Sequence, residues 1–247
     1  MSSKPGVFKK QIPVFIGVLL TILAIRSSII EPFRIPTRSM LPTLMTGDFL
    51  FASKIQYAVH FPFSEALASR PWYLGPVAPP ARGDVIIFSP PEAGQESLYI
   101  KRVAGVPGDR IRFDGKKFIL NGTPVFREEV AGADREAILN HPGFDPEGHY
   151  TLSKLHVFRE TLDANTHLIL EDDSFEGLKN EAEITVPEDH FFVLGDNRDD
   201  TRDSRNFGVI SQHSIRGRAF VIWMSHRISF SDSHWSFRPE RIGMLIR

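Results

Sequence analysis

Arg82-Gly83-Asp84-Val85-Ile86-Ile87-Phe88, a break at Pro90-Pro91-Glu92-Ala93-Gly94, and then Leu98-Tyr99-Ile100-Lys101-Arg102-Val103 form the stretch on which the architecture turns. Four consecutive apolar residues behind a Gly-Asp turn are too few for a helix and predict a strand covered on both faces. The prolines end that strand, and the second run returns beside it. Along the returning strand the two-residue period sets Tyr99, Lys101 and Val103 on one face. Lys101 therefore has apolar neighbours along its own face. An ordinary strand lysine reaches past such neighbours to water, whereas one kept dry holds its proton less tightly. The strand alone leaves both readings open.

The same pattern extends in both directions. Residues 47–57 open on a Gly-Asp turn and run into Phe49-Leu50-Phe51-Ala52, a short buried strand. Val106-Pro107-Gly108-Asp109 is a turn, and Arg110-Ile111-Arg112-Phe113 alternates. Asp114-Gly115 and Asn121-Gly122 bracket residues 117–120 as tight hairpins, since both dipeptides suit turns that need positive φ. Further strands are expected at 150–158, 166–170 and 183–186, with a short helix at 135–140. His190-Phe191-Phe192-Val193-Leu194 is a buried strand that delivers a loop crowded with acids, arginines and hydroxyls. Residues 214–223 close the sheet, and 225–247 read as a polar tail without predicted structure. With 18 glycines and 18 prolines spread among short runs, the chain is mainly β.

Composition removes several functions. The 247 residues suffice for a packed core, and with no cysteine there is no disulfide framework, thiolate metal cluster or cysteine nucleophile. A formal charge of -1 and a pI near 6.8 give no global reason to expect nucleic acid, whose phosphates require clustered cations. His141, His149, His156 and His167 lack the i, i+4 helical spacing and carboxylate context of a zinc site and read as solvated or structural. Neither metal nor cofactor is expected.

At the amino terminus, residues 12–25 are almost wholly apolar behind Lys4, Lys9 and Lys10. About 14 such residues are short for a span of roughly 20, but extension to Ile30 supplies the length if Arg26 snorkels. A cleaved secretory signal is the competing reading, yet no small-x-small site follows. The sequence thus predicts one transmembrane helix, with the amino terminus in the cytoplasm and the chain from Glu31 onward outside. In residues 59–80, His60-Phe61-Pro62-Phe63 and Pro71-Trp72-Tyr73-Leu74-Gly75-Pro76 predict an irregular loop. It either packs on the domain or touches the membrane interface.

Ile35-Pro36-Thr37-Arg38-Ser39-Met40-Leu41-Pro42-Thr43-Leu44 offers a serine between two backbone-restricting prolines. A serine needs a base, and no histidine sits in a motif-like setting. A lysine serves if burial lowers its pKa. Of the nine lysines Lys101 is best placed, the others lying in the basic head, in polar turns or beside other charged and polar residues.

These stretches closely resemble the type I signal peptidases, membrane-anchored serine proteases with a Ser-Lys dyad. Ile35 to Leu44 resembles the nucleophile motif and Gly47-Asp48 the next one. The Arg82 to Phe88 run and Tyr99-Ile100-Lys101-Arg102-Val103-Ala104-Gly105-Val106-Pro107-Gly108-Asp109 resemble the block carrying the base. Gly195-Asp196-Asn197-Arg198-Asp199-Asp200-Thr201-Arg202-Asp203-Ser204-Arg205 resembles the last block. The resemblance implies Ser39 as nucleophile and Lys101 as general base, with Thr37 and the Ser39 N–H holding the oxyanion. It implies Thr201 as orienter of the base, Asp203 and Arg205 as support, and Phe33, Ile35, Met40, Leu44, Tyr99 and Ile100 as pocket lining. At Thr37 and Thr201 many members of the family carry serine.

The implied fold is an antiparallel β catalytic core (31–109 and 190–224) with an inserted smaller domain (110–189), behind a head and anchor (1–30) and before a tail (225–247). Implied partners are exported preproteins, bound extended through their signal peptides and cut after small residues at -3 and -1, the lipid bilayer and the secretion translocon, but no nucleic acid. The implied location is the bacterial inner membrane, with the catalytic domain on the extracytoplasmic side. The alternatives are another Ser-Lys protease of related fold, or a catalytically silent, membrane-tethered binding module.

Overall fold

A computed structural model describes residues 5–57, 59–60, 73–74, 78–91, 97–177, 182–228 and 235–247. Lys4 of the basic head, residues 92–94 of the proline break, and 61–72 and 75–76 of the aromatic loop lie outside these residues. With them lies the interface reading of that loop. The chain divides into two compact units, Met1–Glu31 with Ser53–Ala78, and Pro32–Ala52 with Pro79–Arg247.

In the first unit a helix runs over Pro5–Ser28 with Pro13 inside it. The expected transmembrane span is corrected here: among the described residues no helix is long and apolar enough to cross a membrane. The reason lies in its flanks. Lys9, Lys10 and Gln11 precede the apolar run and Arg26 follows it, and 14 apolar residues at 1.5 Å each cover about 21 Å of a hydrocarbon layer about 30 Å thick. The single-pass location inferred from that span falls with it. Elsewhere in the unit the Lys54 ammonium lies 3.0 Å from the Glu31 carboxylate, and a short strand pair, Val59–His60 with Tyr73–Leu74, runs antiparallel.

The second unit is mainly β. Its largest sheet is built from β1 (Ile30–Arg34), β2 (Asp48–Ser53), β3 (Val85–Phe88), β4 (Tyr99–Gly105), β5 (His190–Leu194), β6 (Ile210–Ser211), β7 (Ile215–Ile228) and β8 (Trp235–Phe237). The order is β1-β2-β7-β3-β4-β5-β6, with β8 on β7. All four side chains of β3 are buried, as a run of four apolar residues requires. The pairing of β3 with β4 sets Ile86 opposite Lys101 and Val85 opposite Arg102. Beneath lies a core of Ile35, Met40, Leu44, Leu50, Val85, Ile87, Ile100 and Ile222.

Residues 110–186 add two smaller antiparallel sheets. The strands Arg110–Asp114, Lys117–Leu120, Thr123–Pro124 and Ile184–Thr185 form one, and Arg127–Val130, Leu155–Leu162 and Asn165–Asp172 the other. Asn121 and Gly122 both take positive φ, 53° and 81°, as the hairpin at that dipeptide demands. The helix expected at 135–140 occupies Gly132–Leu139. The tail is not a polar appendage. Ile246 joins the main core, and Arg238 and Arg241 are buried.

Candidate active site

Ser39 sits on a turn fixed from both sides. Met40 and Leu44 enter the core beneath the large sheet, while Leu41 enters a second core with Val157 and Leu170. The backbone closes through Leu41 N–H to Arg38 O at 3.0 Å and Leu44 N–H to Met40 O at 2.8 Å. Burying neighbours in two different cores leaves this serine little freedom to move. Its side chain faces a cleft of about 910 Å³ whose lining includes Thr37, Ser39, Tyr99, Lys101, Asp200 and Thr201.

Lys101 reaches the same point from β4. Its Nζ lies 2.7 Å from Ser39 Oγ and 2.9 Å from the Ile100 carbonyl oxygen. The lysine is 4% exposed, and among the described residues no carboxylate stands within ion-pair distance of it. Burial pushes its pKa down to about 8, against an opposing pull from the buried charges of Asp203 and Asp196. The Tyr99 ring centroid lies 5.6 Å from the amine. A buried amine that loses its proton near neutral pH, in hydrogen-bond reach of a hydroxyl, can act as a base toward it.

The last block wraps this pair. Gly195 lies against the Thr201 side chain and the Ser39 carbonyl, so closely that a Cβ there would overlap both. Asn197 N–H donates to Ser39 O at 3.2 Å. Asp203, fully buried, caps the short helix Ser204–Phe207 in a capping box with Asn206 and accepts from Gly195 N–H at 3.1 Å. Arg205 donates to both oxygens of Asp203, at 2.9 and 2.8 Å. Asp196 receives Arg102 through Nε at 2.8 Å and Nη2 at 2.6 Å, and the Thr43 hydroxyl at 2.5 Å. The paired guanidinium holds the Asp196 carboxyl below the usual range despite its complete burial.

Of the residues expected at the site, Ser39, Lys101, Thr37 and Thr201 come together at the cleft, with Phe33, Ile35, Tyr99 and Ile100 along its walls. Met40 and Leu44 lie behind the wall, in the core. Thr37 Oγ1 is 3.5 Å from Ser39 Oγ. Thr201 Oγ1 is buried and without a hydrogen-bond partner among the described residues, so the bonds of Lys101 go to Ser39 and Ile100 instead. Asp203 and Arg205 stand one layer back, as a pair. Three of the four histidines meet surface carboxylates: His141 with Glu240, His149 with Glu147, His156 with Glu129 and Asp173. His167 is buried, its Nε2 3.4 Å from Glu160.

Sequence reading missed three partners of the site. Arg102 looked like one more strand cation, Tyr150 like a strand residue in a region without chemistry, and Arg241 like part of the tail. Arg102 holds Asp196, Tyr150 binds Asn197 and Asp200, and Arg241 grips Asp48 at 2.5 Å.

A serine hydroxyl bonded to a buried, weakly basic lysine on an antiparallel β scaffold defines a serine hydrolase of the Ser-Lys kind. Residues 8–224 match the model of the family described as signal peptidase, peptidase S26. The signal peptidase I of Pseudomonas aeruginosa is 33% identical over 243 residues, covering 94% of this chain and 77% of that one. That of Pseudomonas fluorescens is 34% identical, with 85% and 70% covered, and that of Rickettsia typhi 33%, with 91% and 83%. The chain belongs to the signal peptidase family, and its activity is that of a serine endopeptidase that processes signal peptides. Family membership brings with it exported preproteins as substrates and a membrane setting for the reaction.

Proposed function

We propose that Ser39 is the nucleophile and Lys101 the general base for cleavage of exported preproteins after small residues at -3 and -1. The observation that carries this reading is the 2.7 Å separation of Lys101 Nζ from Ser39 Oγ with the lysine 4% exposed. Once deprotonated, the amine lone pair accepts the Ser39 proton as Oγ attacks the scissile carbonyl. The oxyanion forms against the Ser39 N–H and the Thr37 hydroxyl. Lys101 then hands its proton to the leaving amine, and the acyl-serine is opened by water that the same amine deprotonates.

The substrate adds as an extended strand. Residues Tyr99, Ile100 and Lys101 pair with β3 on one side, while on the other β5 pairs only from Arg102 onward. The main chain beside the amine is therefore open to a peptide edge. Phe33, Ile35, Tyr99 and Ile100 along the walls suit small apolar side chains there.

Hydrolysis of a preprotein carrying Ala-x-Ala before its junction tests this, with the full chain and its Ser39→Ala variant followed from about pH 5 to about pH 10. The variant is expected to be inert and folded, and the parent's kcat/KM to rise through about pH 8 as Lys101 loses its proton. Turnover by Ser39→Ala, or a parental optimum below about pH 6, overturns the assignment.

A further inference from the structure

We infer that Tyr150, from the region between the two halves of the catalytic sheet, is a positioning residue for the nucleophile turn. The inference rests on the Ser39 reading above. The Asn197 side-chain amide has two N–H donors, and both are used: one to the Arg38 carbonyl at 3.1 Å, the other to the Tyr150 hydroxyl at 2.8 Å. Tyr150 in turn donates its own proton to Asp200 Oδ2 at 2.5 Å. Burial and the Asp200 charge raise the phenol pKa, so the hydroxyl keeps that proton at working pH.

This chain fixes a direction. The peptide between Arg38 and Ser39 is planar, with its C=O and N–H pointing opposite ways. A donor held on the Arg38 carbonyl therefore aims the Ser39 N–H, the proposed backbone donor to the oxyanion, out of the other edge. The backbone N–H of Asn197 holds the next carbonyl, that of Ser39, at 3.2 Å. One asparagine thus pins both peptide planes around the nucleophile.

An asparagine amide can turn over and present oxygen where nitrogen was. With the Tyr150 hydroxyl committed as donor to Asp200, the position beside Asn197 accepts, and only Nδ2 suits it. Without that hydroxyl the amide loses one of the two acceptors that orient it, and the Arg38 carbonyl, which also accepts from Leu41 N–H at 3.0 Å, is held less firmly. The Arg38 guanidinium completes the clamp, with Nε 3.4 Å from Asp200 and the cation 5.9 Å from the Tyr150 ring centroid.

Tyr150→Phe in the full chain keeps the ring and removes the hydroxyl. Turnover of the Ala-x-Ala preprotein is expected to fall about 10- to 100-fold in kcat with KM within about twofold. The ascending pH limb stays in place, because the surroundings of Lys101 are untouched. Affinity for a peptide aldehyde that adds to Ser39 falls in parallel with kcat, while a non-covalent product peptide binds as before. A kcat equal to the parent's, with Ser39→Ala inert, overturns the inference and leaves the nucleophile assignment standing; turnover by Ser39→Ala removes both. Parallel losses in kcat, product-peptide binding and melting temperature assign Tyr150 to general stability and overturn it too. If Tyr150→Phe does not accumulate folded, Asp200→Ala, which removes the acceptor that commits the phenol as a donor, takes its place. Loss of kcat without change in product-peptide binding supports the clamp, and an unchanged kcat refutes it.

Discussion

Lys101 and Arg102 are consecutive residues of one strand, both cations and both buried, at 4% and 1% exposure. Alternation sends them to opposite faces, and what each meets there differs. Arg102 finds Asp196 through two bonds, and the carbonyls of Gly83 and Arg247 at 2.8 and 2.7 Å. Lys101 finds Ile86 beside it, a hydroxyl and a single carbonyl. A guanidinium that cannot lose its proton must be given countercharge when buried. An ammonium denied countercharge can give its proton up, and that is the capacity the proposed mechanism uses. Burial is common to the two residues; the partner decides whether it yields a scaffold or a reagent.

The comparison breaks most visibly at Arg102. Arg102→Met keeps most of the volume but strands the Asp196 carboxylate in a dry site and frees two carbonyls. Loss of one member of such a buried pair is expected to cost about 3 to 5 kcal/mol in unfolding free energy, read from urea denaturation at neutral pH. A loss below about 1 kcal/mol would mean that Asp196 finds other partners, and that the pair is not what holds this face.

On the other face the same kind of change should have the opposite sign. Lys101 has a folded pKa of about 8 against an unfolded value of 10.5, so the folded protein binds this proton more weakly. Below about pH 8 both states carry the charge and the native state bears the full penalty, about 3 kcal/mol for that difference. As pH rises from about 8 to about 10.5 the folded state is already neutral while the unfolded state releases its proton, so the penalty fades. Lys101→Met, inert as an enzyme, is thus expected to exceed the parent in stability by about 3 kcal/mol at pH 7 and to match it above about pH 10.5. Urea melts of both proteins at the two pH values read this directly. An equal gap at both would assign the gain to packing rather than to a desolvated charge.

Strand period sets Lys101 on an apolar face and two prolines frame Ser39, local signals that by themselves leave a solvated lysine and an ordinary turn open; their pairing as a dyad comes from the family resemblance. The partner of Arg102 is not local: Asp196 lies 94 positions away, inside a loop where seven of the eleven residues 195–205 are charged. Arg241 is more hidden still, 193 positions from Asp48, in a stretch whose composition reads as solvated tail. Nothing around either arginine marks it as buried, since ion pairing makes burial of a charge tolerable and pairing is a property of the fold. The amino-terminal helix errs the other way. Its apolar run was legible, but extending it across Arg26 counted a charged and polar stretch toward a span, and the described helix is not long and apolar enough to cross a membrane. Tyr150 was read as a strand residue, and its hydroxyl carries meaning only once Asn197 and Asp200 are beside it.

The smallest expected effect sharpens what the Lys101 face lacks. Few polar groups approach Ser39 there, so each donor near the developing oxyanion should count, yet the Thr37 hydroxyl stands at 3.5 Å on an exposed residue of the cleft. Until substrate covers it, water competes for that donor, and its worth is smaller than that of a buried one. Thr37→Val keeps the shape and removes the donor; kcat is expected to fall about tenfold, with KM and melting temperature unmoved. A fall approaching a thousandfold would make Thr37 the principal donor, and would mean that substrate closes the cleft far more tightly than its open form suggests. A rate within about twofold of the parent would leave the oxyanion to the Ser39 N–H alone. The aim of that one peptide plane, and so the clamp behind it, would then carry the whole of the electrostatic contribution.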